Sequence, residues 1–319
     1  MTRLRIRLTV VLCFCVFLAQ GQVRLRQLTS PGHPKIGLVL GGGGAKGAAQ
    51  IGVLKALEEE GLEFDYISGT SIGSIIGALY SCGYRAKEIE ELFLSQKWLS
   101  LITGIGNFID NGNESRREWR NRRRNNNDNY DPWLDMGLSG ADQITELFDS
   151  LTHVGDSIVF DQMPIPFRCV ATDLKRQEPV TLTCGNLPIA LRASMSIPGV
   201  FKPVHFQGRT LVDGGMQNNL PVDVVKAMGA EYVIAIDLTQ TKHKPRNFSL
   251  LETFGIGGIL DWVVSRPDWK RYDDNVKATD LYINPSLQQY DVMDFQKEKI
   301  EAMIAIGYQE AKKVLGKFR

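Results

Sequence analysis

Short apolar runs and longer stretches with helical spacing alternate along the first third of the chain. Residues 35–40 and 66–69 are short apolar runs, which predict buried strands. Each is followed by a stretch with helical spacing, residues 45–60 after the first and residues 74–80 after the second. The order strand, helix, strand, helix favours an α/β fold with a mostly parallel central sheet flanked by helices on both faces.

The same patterns predict further elements toward the carboxyl end. Strands are expected at residues 167–172, 209–212, 232–238 and 281–284, and helices at residues 222–228 and 294–315. Over residues 297–319 the apolar positions repeat on one side of a helix, which is expected to be buried. That side consists of Ile300, Met303, Ile304, Tyr308, Ala311 and Val314.

Two stretches interrupt this alternation. Residues 104–137 are polar and rich in Asn, and residues 239–280 hold an apolar piece between two prolines. Because strand signals resume after each stretch, we predict one α/β domain over residues 22–319 with two surface insertions. The first insertion carries an arginine cluster: Arg116, Arg117, Arg120, Arg122, Arg123 and Arg124. This cluster suits either contact with anionic lipid head groups or a solvated loop, and the sequence leaves both open.

The first 21 residues have the features of a secretory signal. Arg3, Arg5 and Arg7 form a basic start, residues 8–18 are apolar, and small residues follow at 19–21. The apolar run is shorter than the roughly 20 residues that span a bilayer, so a short uncleaved anchor is the weaker alternative. We therefore expect export, to the periplasm, to the outer membrane or out of the cell.

Charge and cysteine content exclude several classes of protein. The chain has 37 basic and 36 acidic residues, a net charge of +1, and removal of the signal leaves 34 basic residues against 36 acidic ones. Such a balance gives no reason to expect a nucleic-acid partner. The remaining cysteines, Cys82, Cys169 and Cys184, are too scattered for a disulfide framework or a zinc site, and no metal is expected.

Gly69, Ser71 and Gly73 form a G-x-S-x-G motif between a predicted strand and a predicted helix. This is the context in which a nucleophilic serine is presented on a sharp turn at a helix N-terminus. An ordinary serine N-cap is the alternative.

A glycine-rich segment follows the first strand, with Gly41 to Gly44, Ala45, Lys46 and Gly47 in succession. Its spacing formally satisfies G-x-G-x-x-G, but a dinucleotide site needs an acidic residue at the end of the next strand, where this chain has Ser68 and Gly69. What remains is a run of backbone N–H groups at a helix N-terminus, which suits an anion or oxyanion. A flexible turn is the alternative.

Asp213, followed by Gly214 and Gly215, ends the predicted strand at residues 209–212. A carboxylate at the carboxyl end of a sheet strand lies where α/β proteins form their sites. An aspartate in a β-turn is the common alternative.

Taken together, the three motifs resemble the patatin-like phospholipases over about residues 35–238, and Ala171 to Leu174 and Arg192 to Phe201 resemble further segments of bacterial members. The resemblance implies a three-layer α/β/α fold. It implies that Ser71 is the nucleophile and that Asp213 is its partner in a Ser–Asp dyad. The oxyanion hole would be formed by Gly42, Gly43, Gly44 and Ala45. The resemblance gives Lys46, Gly47, Gly69, Gly73, Gly214 and Gly215 supporting places in the motifs, although Lys46 is equally well explained as a solvated side chain.

The function that this resemblance implies is lipid acyl hydrolysis of the phospholipase A type, on a phospholipid or other acyl lipid at a membrane surface and without a cofactor. The sequence leaves open whether the chain forms a homodimer. Residues after 280 lack the alternation of an outer-membrane barrel, so we expect an exported bacterial member without one. Two alternatives remain: a Ser71–Asp213–His243 triad, whose order along the chain suits an α/β-hydrolase, and a non-catalytic lipid-binding protein with the same fold.

Overall fold

The computed structural model describes residues 25–96, 98, 101, 142–152, 154–155, 157–240 and 269–317. The predicted signal at residues 1–21, the arginine cluster and His243 lie outside these ranges.

The strands of the described residues are, in chain order, β1 (Ile36–Leu40), β2 (Tyr66–Thr70), β3 (Ile158–Val159), β4 (Phe167–Asp173), β5 (Glu178–Leu182), β6 (Cys184–Gly185), β7 (Val204–Phe206), β8 (Arg209–Asp213), β9 (Tyr232–Ile236) and β10 (Leu281–Ile283). The α-helices are α1 (Leu25–Leu28), α2 (Ala48–Glu59), α3 (Ile72–Ser81), α4 (Ala86–Ser95), α5 (Asp142–Thr152), α6 (Leu187–Ser194), α7 (Val222–Ala227), α8 (Trp269–Lys277) and α9 (Lys297–Leu315). Short 3₁₀ turns lie at Gly44–Gly47, Phe160–Gln162 and Gly214–Met216.

Within the described ranges, one sheet runs in the order β10-β9-β1-β2-β4-β8-β7, and β5 pairs with β4 outside this path. The pairs from β10 to β4 are all parallel. Strands β1 and β9 are buried along their whole length, because helices cover both faces of the sheet. The predicted fold class is therefore confirmed.

The described residues form two clusters of buried side chains in the layers between helices and sheet. The larger contains residues of α2, α3, α6 and α9, and the smaller packs α7 and Tyr272 of α8 against Val39 of β1 and Val233 and Ala235 of β9. Leu38 and Leu40 belong to the larger cluster, so alternate residues of β1 face opposite layers. This is the three-layer arrangement expected from the motifs.

Strand β4 brings the ends of two distant strands together. Its residues 167–170 pair in parallel with β2, and its residues 171–173 pair antiparallel with β8. Strand β5 pairs with residues 169–173, so β2 and β8 follow one another along the other edge. They approach from opposite directions and their carboxyl ends meet, with Thr70 opposite Val170 and Asp213 opposite Ala171.

Several predicted boundaries differ from the structure, most of them by three residues or fewer. The sequence predicts that residues 269–280 belong to the second insertion, and the structure has helix α8 there, in which Tyr272 and Asn275 are buried. The apolar positions of α8 are too few to reveal it from the sequence, because one of its two buried residues is polar. The last helix begins at Lys297, three residues later than predicted, and buries four of the six expected side chains, with Tyr308 and Val314 partly buried.

In the part of the chain that the structure describes, no helix combines the length and the apolar character that crossing a membrane requires.

Candidate active site

Ser71 lies on a sharp turn between β2 and α3. Its backbone has φ 54 and ψ −126, and residues other than glycine rarely adopt a positive φ. The flanking glycines make this turn possible. A Cβ atom on Gly73 would lie 2.2 Å from the Leu40 carbonyl oxygen, and one on Gly69 would lie 2.5 Å from the Gly73 carbonyl oxygen. The strand-to-helix turn predicted from G-x-S-x-G is therefore present.

Neighbouring serines fix the Ser71 backbone. The Ser71 N–H donates to Ser194 Oγ at 3.0 Å, and Ser194 Oγ donates in turn to the Val170 carbonyl at 2.6 Å. On the other side, Ser74 Oγ donates to the Ser71 carbonyl at 2.6 Å. These contacts offset the cost of the unusual conformation, which is on the order of 1–3 kcal/mol.

Asp213 contacts Ser71 directly. Ser71 Oγ donates to Asp213 Oδ2 at 2.7 Å, and the Gly215 N–H donates to Asp213 Oδ1 at 2.7 Å. The Asp213 side chain is fully buried, and this burial raises its pKa to about 6, against the smaller lowering effect of the two hydrogen bonds. A carboxylate with this pKa is a better proton acceptor near neutrality than an exposed one.

Gly214 lets β8 turn closely over β4. A Cβ atom on Gly214 would lie 2.2 Å from the Val170 carbonyl oxygen, and one on Gly215 would lie 2.8 Å from Asn219 Oδ1. Both motif glycines are therefore needed for close backbone approach rather than for flexibility.

The glycine-rich loop lies beside Ser71 but offers fewer free N–H groups than predicted. The Gly42 N–H donates to the Asn219 carbonyl at 3.2 Å, and the Ala45 N–H donates to the Val292 carbonyl at 2.8 Å. Among the described residues, no group accepts from the N–H of Gly43 or Gly44. Of the four residues assigned to the oxyanion hole, Gly43 and Gly44 therefore have N–H groups without an acceptor in the described part of the chain, whereas the N–H groups of Gly42 and Ala45 bond neighbouring segments.

Lys46 and Gly47 complete the loop in different ways. Lys46 is half-buried. Burial raises the pKa of Asp294, but the hydrogen bond from Lys299 and several smaller effects, among them the charge of Lys46, together hold this pKa below its usual value. A Cβ atom on Gly47 would lie 2.4 Å from Ile72 Cγ1, so Gly47 allows the loop to pack on the residue that follows Ser71.

Three polar side chains that support the site were not recognised from the sequence. Ser194 is described above. Asn219 Nδ2 donates to the Gly42 carbonyl at 3.3 Å, and Gln50 Nε2 donates to the Gly41 carbonyl at 2.7 Å. All three are buried. The one signal that could have drawn attention to Asn219 is its place six residues after Asp213, at the end of the polar run Gln217 to Asn219.

An apolar pocket opens beside Ser71. It encloses about 490 Å³ of empty space, part of it open to solvent. Among the described residues, its wall is formed mostly by helix α3, residues 195–201 and residues 292–295, with Trp98 and Ile144 beside them. Apart from Ser71 and Gly44, all of these described lining residues are apolar, so the pocket suits a hydrocarbon chain.

The two described histidines make hydrogen bonds away from this site. His33 Nδ1 is 2.8 Å from the Pro34 carbonyl oxygen, and His205 Nδ1 is 3.5 Å from Thr210 Oγ1.

The sequence of this chain is similar to those of patatin-like phospholipases. The family model described as patatin-like phospholipase matches residues 38–226. Patatin-like phospholipase domain-containing protein 6 of Mus musculus is 32% identical over 314 residues, which cover 88% of this chain and 20% of that protein. An uncharacterized NTE family protein of Mycobacterium bovis is 31% identical over 229 residues, covering 71% of this chain and 54% of that protein. The chain thus spans about a fifth of the length of the first relative and about half of the second.

Among solved structures, VipD from Legionella pneumophila has a TM-score of 0.54 at 15% sequence identity, covering 91% of this chain and 68% of that one. This likeness shows a shared fold.

Proposed function

We propose that this chain, which belongs to the patatin-like phospholipase family, hydrolyses ester bonds of acyl lipids with Ser71 as nucleophile and Asp213 as general base. The observation that carries the proposal is the 2.7 Å hydrogen bond from Ser71 Oγ to the buried Asp213 carboxylate. That pair lies beside a pocket with an apolar lining, which suits part of an acyl chain.

The reaction would proceed in two steps. Ser71 Oγ attacks the ester carbonyl carbon while Asp213 takes its proton, and the alcohol then leaves with that proton. Asp213 then takes a proton from water as this water attacks the acyl-enzyme, and the proton passes to Ser71 Oγ as the fatty acid leaves. The N–H groups of Gly43 and Gly44, together with the N-terminal end of α3, would stabilise the negative charge on the carbonyl oxygen.

The direct contact supports a dyad over a triad. In a Ser–His–Asp triad the carboxylate orients the imidazole, and the imidazole contacts the serine. Here both Asp213 oxygens are occupied, one by the Ser71 hydroxyl and the other by the Gly215 N–H. No gap between Ser71 and Asp213 remains for an imidazole ring.

The strained Ser71 also supports an enzyme over a lipid-binding protein. A binding site needs an apolar cavity but has no use for a serine held at φ 54 against a buried carboxylate. Phospholipase A-type specificity, a membrane-surface substrate and export by residues 1–21 belong to the same proposal and rest on the family and the amino-terminal pattern.

Hydrolysis of a lysophospholipid and of a chromogenic acyl ester tests the proposal with three variants. We expect Ser71→Ala to abolish turnover and Asp213→Asn to lower kcat/KM by roughly 10²- to 10⁴-fold, the usual contribution of a general base. His205→Ala, an exposed substitution on β7, serves as the control and should behave as wild type. Circular dichroism and thermal unfolding establish that each variant is folded.

Two other results would contradict the dyad or the catalytic activity. Loss of hydrolysis in folded His243→Ala, alongside the loss in Asp213→Asn, would establish the triad, because only the triad needs an imidazole. Saturable lipid binding without any hydrolysis by the wild type would establish a binding protein.

A further inference from the structure

The segment from Val292 to Phe295, which we call the wall segment, connects the loop after β10 to helix α9. It lies outside the residues matched by the family model, which end at 226. Nevertheless it touches the centre of the site. The Val292 carbonyl accepts the Ala45 N–H at 2.8 Å, and a Cβ atom on Gly44 would lie 2.4 Å from the same oxygen.

Hydrogen bonds hold the wall segment in one conformation. The Asp291 N–H donates to Asp294 Oδ2 at 2.8 Å, and the Met293 N–H donates to Asp291 Oδ1 at 2.9 Å. Lys299 at the start of α9 bonds Asp294 Oδ1 at 2.5 Å. Side chains on this segment are therefore presented from a defined backbone rather than from a loose loop.

Three side chains of the wall segment line the pocket beside Ser71: Val292, Met293 and Phe295. Val292 is buried, whereas Met293 and Phe295 are only partly buried, so they still have surface that a ligand can cover. The Phe295 ring lies 6.2 Å from the ring of Trp98, another lining residue. Met293 adds a flexible, polarizable side chain that adapts to different shapes.

We propose that Met293 and Phe295 determine which acyl chains the site accepts, by forming the wall along which the chain lies. This inference rests on the proposed function. It assigns the enzyme's selectivity for acyl chains to two residues outside the family motifs. A longer chain covers more of this wall, and each methylene moved from water into apolar contact is worth about fourfold in an equilibrium or rate constant. The preference for long over short chains should therefore depend on both side chains.

The experiment compares kcat/KM for p-nitrophenyl decanoate and p-nitrophenyl butanoate, both kept below the concentration at which they form micelles. Wild type should prefer the decanoate. Met293→Ala and Phe295→Ala should each lower the decanoate-to-butanoate ratio by at least about fivefold, because the longer chain loses more contact.

Met228→Ala is the matched control, since Met228 is also partly buried but packs in the smaller cluster on the other side of the sheet. It removes the same atoms and should leave the ratio unchanged. If Met293→Ala and Phe295→Ala keep the wild-type ratio while remaining folded, the wall assignment is wrong.

Binding to Ser71→Ala protein separates this inference from the proposed function. Affinities for hexanoate and dodecanoate are measured by calorimetry in the Ser71→Ala background, with and without Met293→Ala. We expect dodecanoate to bind more tightly and Met293→Ala to reduce that advantage. A wild type that hydrolyses no ester would overturn the proposed function. If Met293→Ala leaves the ratio of the two affinities unchanged, Met293 does not select acyl chains.

Discussion

At the residue scale, the site depends on a serine whose backbone conformation is held by its surroundings. Ser71 has φ 54, and its N–H is accepted by a buried serine from another helix. G-x-S-x-G predicts the turn, because only small neighbours fit there. The motif contains no information on Ser194, which lies 123 residues further along the chain.

Replacing Ser194 should disturb Ser71 without touching the substrate. In Ser194→Ala the Ser71 N–H and the Val170 carbonyl lose their partner, which should lower the free energy of unfolding by about 1–3 kcal/mol. We expect kcat to fall more than KM rises, since the nucleophile is displaced while the pocket remains. Urea unfolding and steady-state kinetics measure both effects.

Ser150→Ala is the control, because the Ser150 hydroxyl is exposed and bonds only the Leu147 carbonyl within α5. A normal kcat in folded Ser194→Ala would show that Ser71 keeps its position without this contact.

The raised pKa of Asp213 predicts opposite effects of pH on activity and on stability. As a base, Asp213 must be ionised, so kcat/KM should rise through its pKa of about 6 and level off above it. The folded protein binds this proton more tightly than the unfolded chain does. The resulting stabilisation is therefore present at low pH and is lost as the pH rises through about 6.

The Asp213→Asn variant isolates this contribution. Relative to the variant, wild type should lose on the order of 2 kcal/mol of unfolding free energy between about pH 4.5 and about pH 7.5. Urea unfolding of both proteins at the two pH values gives the difference. A stability difference between the two proteins that stays constant over this interval would show that the Asp213 pKa is not raised.

At the scale of elements, the catalytic pair arises from the meeting of β2 and β8 along one edge of β4. The sequence predicts all three strands, because their residues are apolar and flanked by turns. It does not predict that β8 runs antiparallel to β4, since direction depends on the connection through α6 and β7. Asp213 and Ser71, 142 residues apart, therefore meet end to end rather than on neighbouring parallel strands.

Helices α2 and α9 cross in close contact and join the glycine-rich loop to the wall segment. A Cβ atom on Gly52 would lie 1.9 Å from the Ile304 carbonyl oxygen, and one on Gly307 would lie 1.9 Å from the Ala49 carbonyl oxygen. Lys312 adds ion pairs to Glu59 and Glu60 at the far end. Because α2 follows the glycine-rich loop and α9 follows the wall segment, this crossing sets the distance between them.

Gly307→Ala should force the two helices apart. The added methyl group cannot avoid the Ala49 backbone, so we expect a loss of about 1–3 kcal/mol in unfolding free energy, the usual cost of overpacking. The decanoate-to-butanoate ratio should also change, because the wall segment shifts with α9. Gly155→Ala is the control, since a Cβ atom there meets no atom within 4 Å. Equal stability of the two variants would mean that the crossing relaxes freely.

At the scale of the whole molecule, the pattern of apolar positions predicts the fold class and the main strands, and the motifs predict that Ser71 and Asp213 come together. Motifs reveal these because each one demands small or charged residues at fixed spacing. The sequence does not reveal which loop N–H groups stay free, because Asn219 and Val292 come from distant segments. The sequence does not predict the pocket wall for the same reason. Residues 195–201 and 292–295 have no sequence pattern that marks a pocket, and only the fold brings them together.

Reaction with a fluorophosphonate tests the central claim most directly, because the probe forms a covalent bond only with an activated serine in a folded site. Folded wild type should be labelled at Ser71, as located by peptide mass spectrometry. Asp213→Asn should react much more slowly, and urea-unfolded protein should not react. Absence of labelling at Ser71 in folded wild type, or equal labelling of wild type and Asp213→Asn, would contradict the assignment of Ser71 and Asp213 as a catalytic pair.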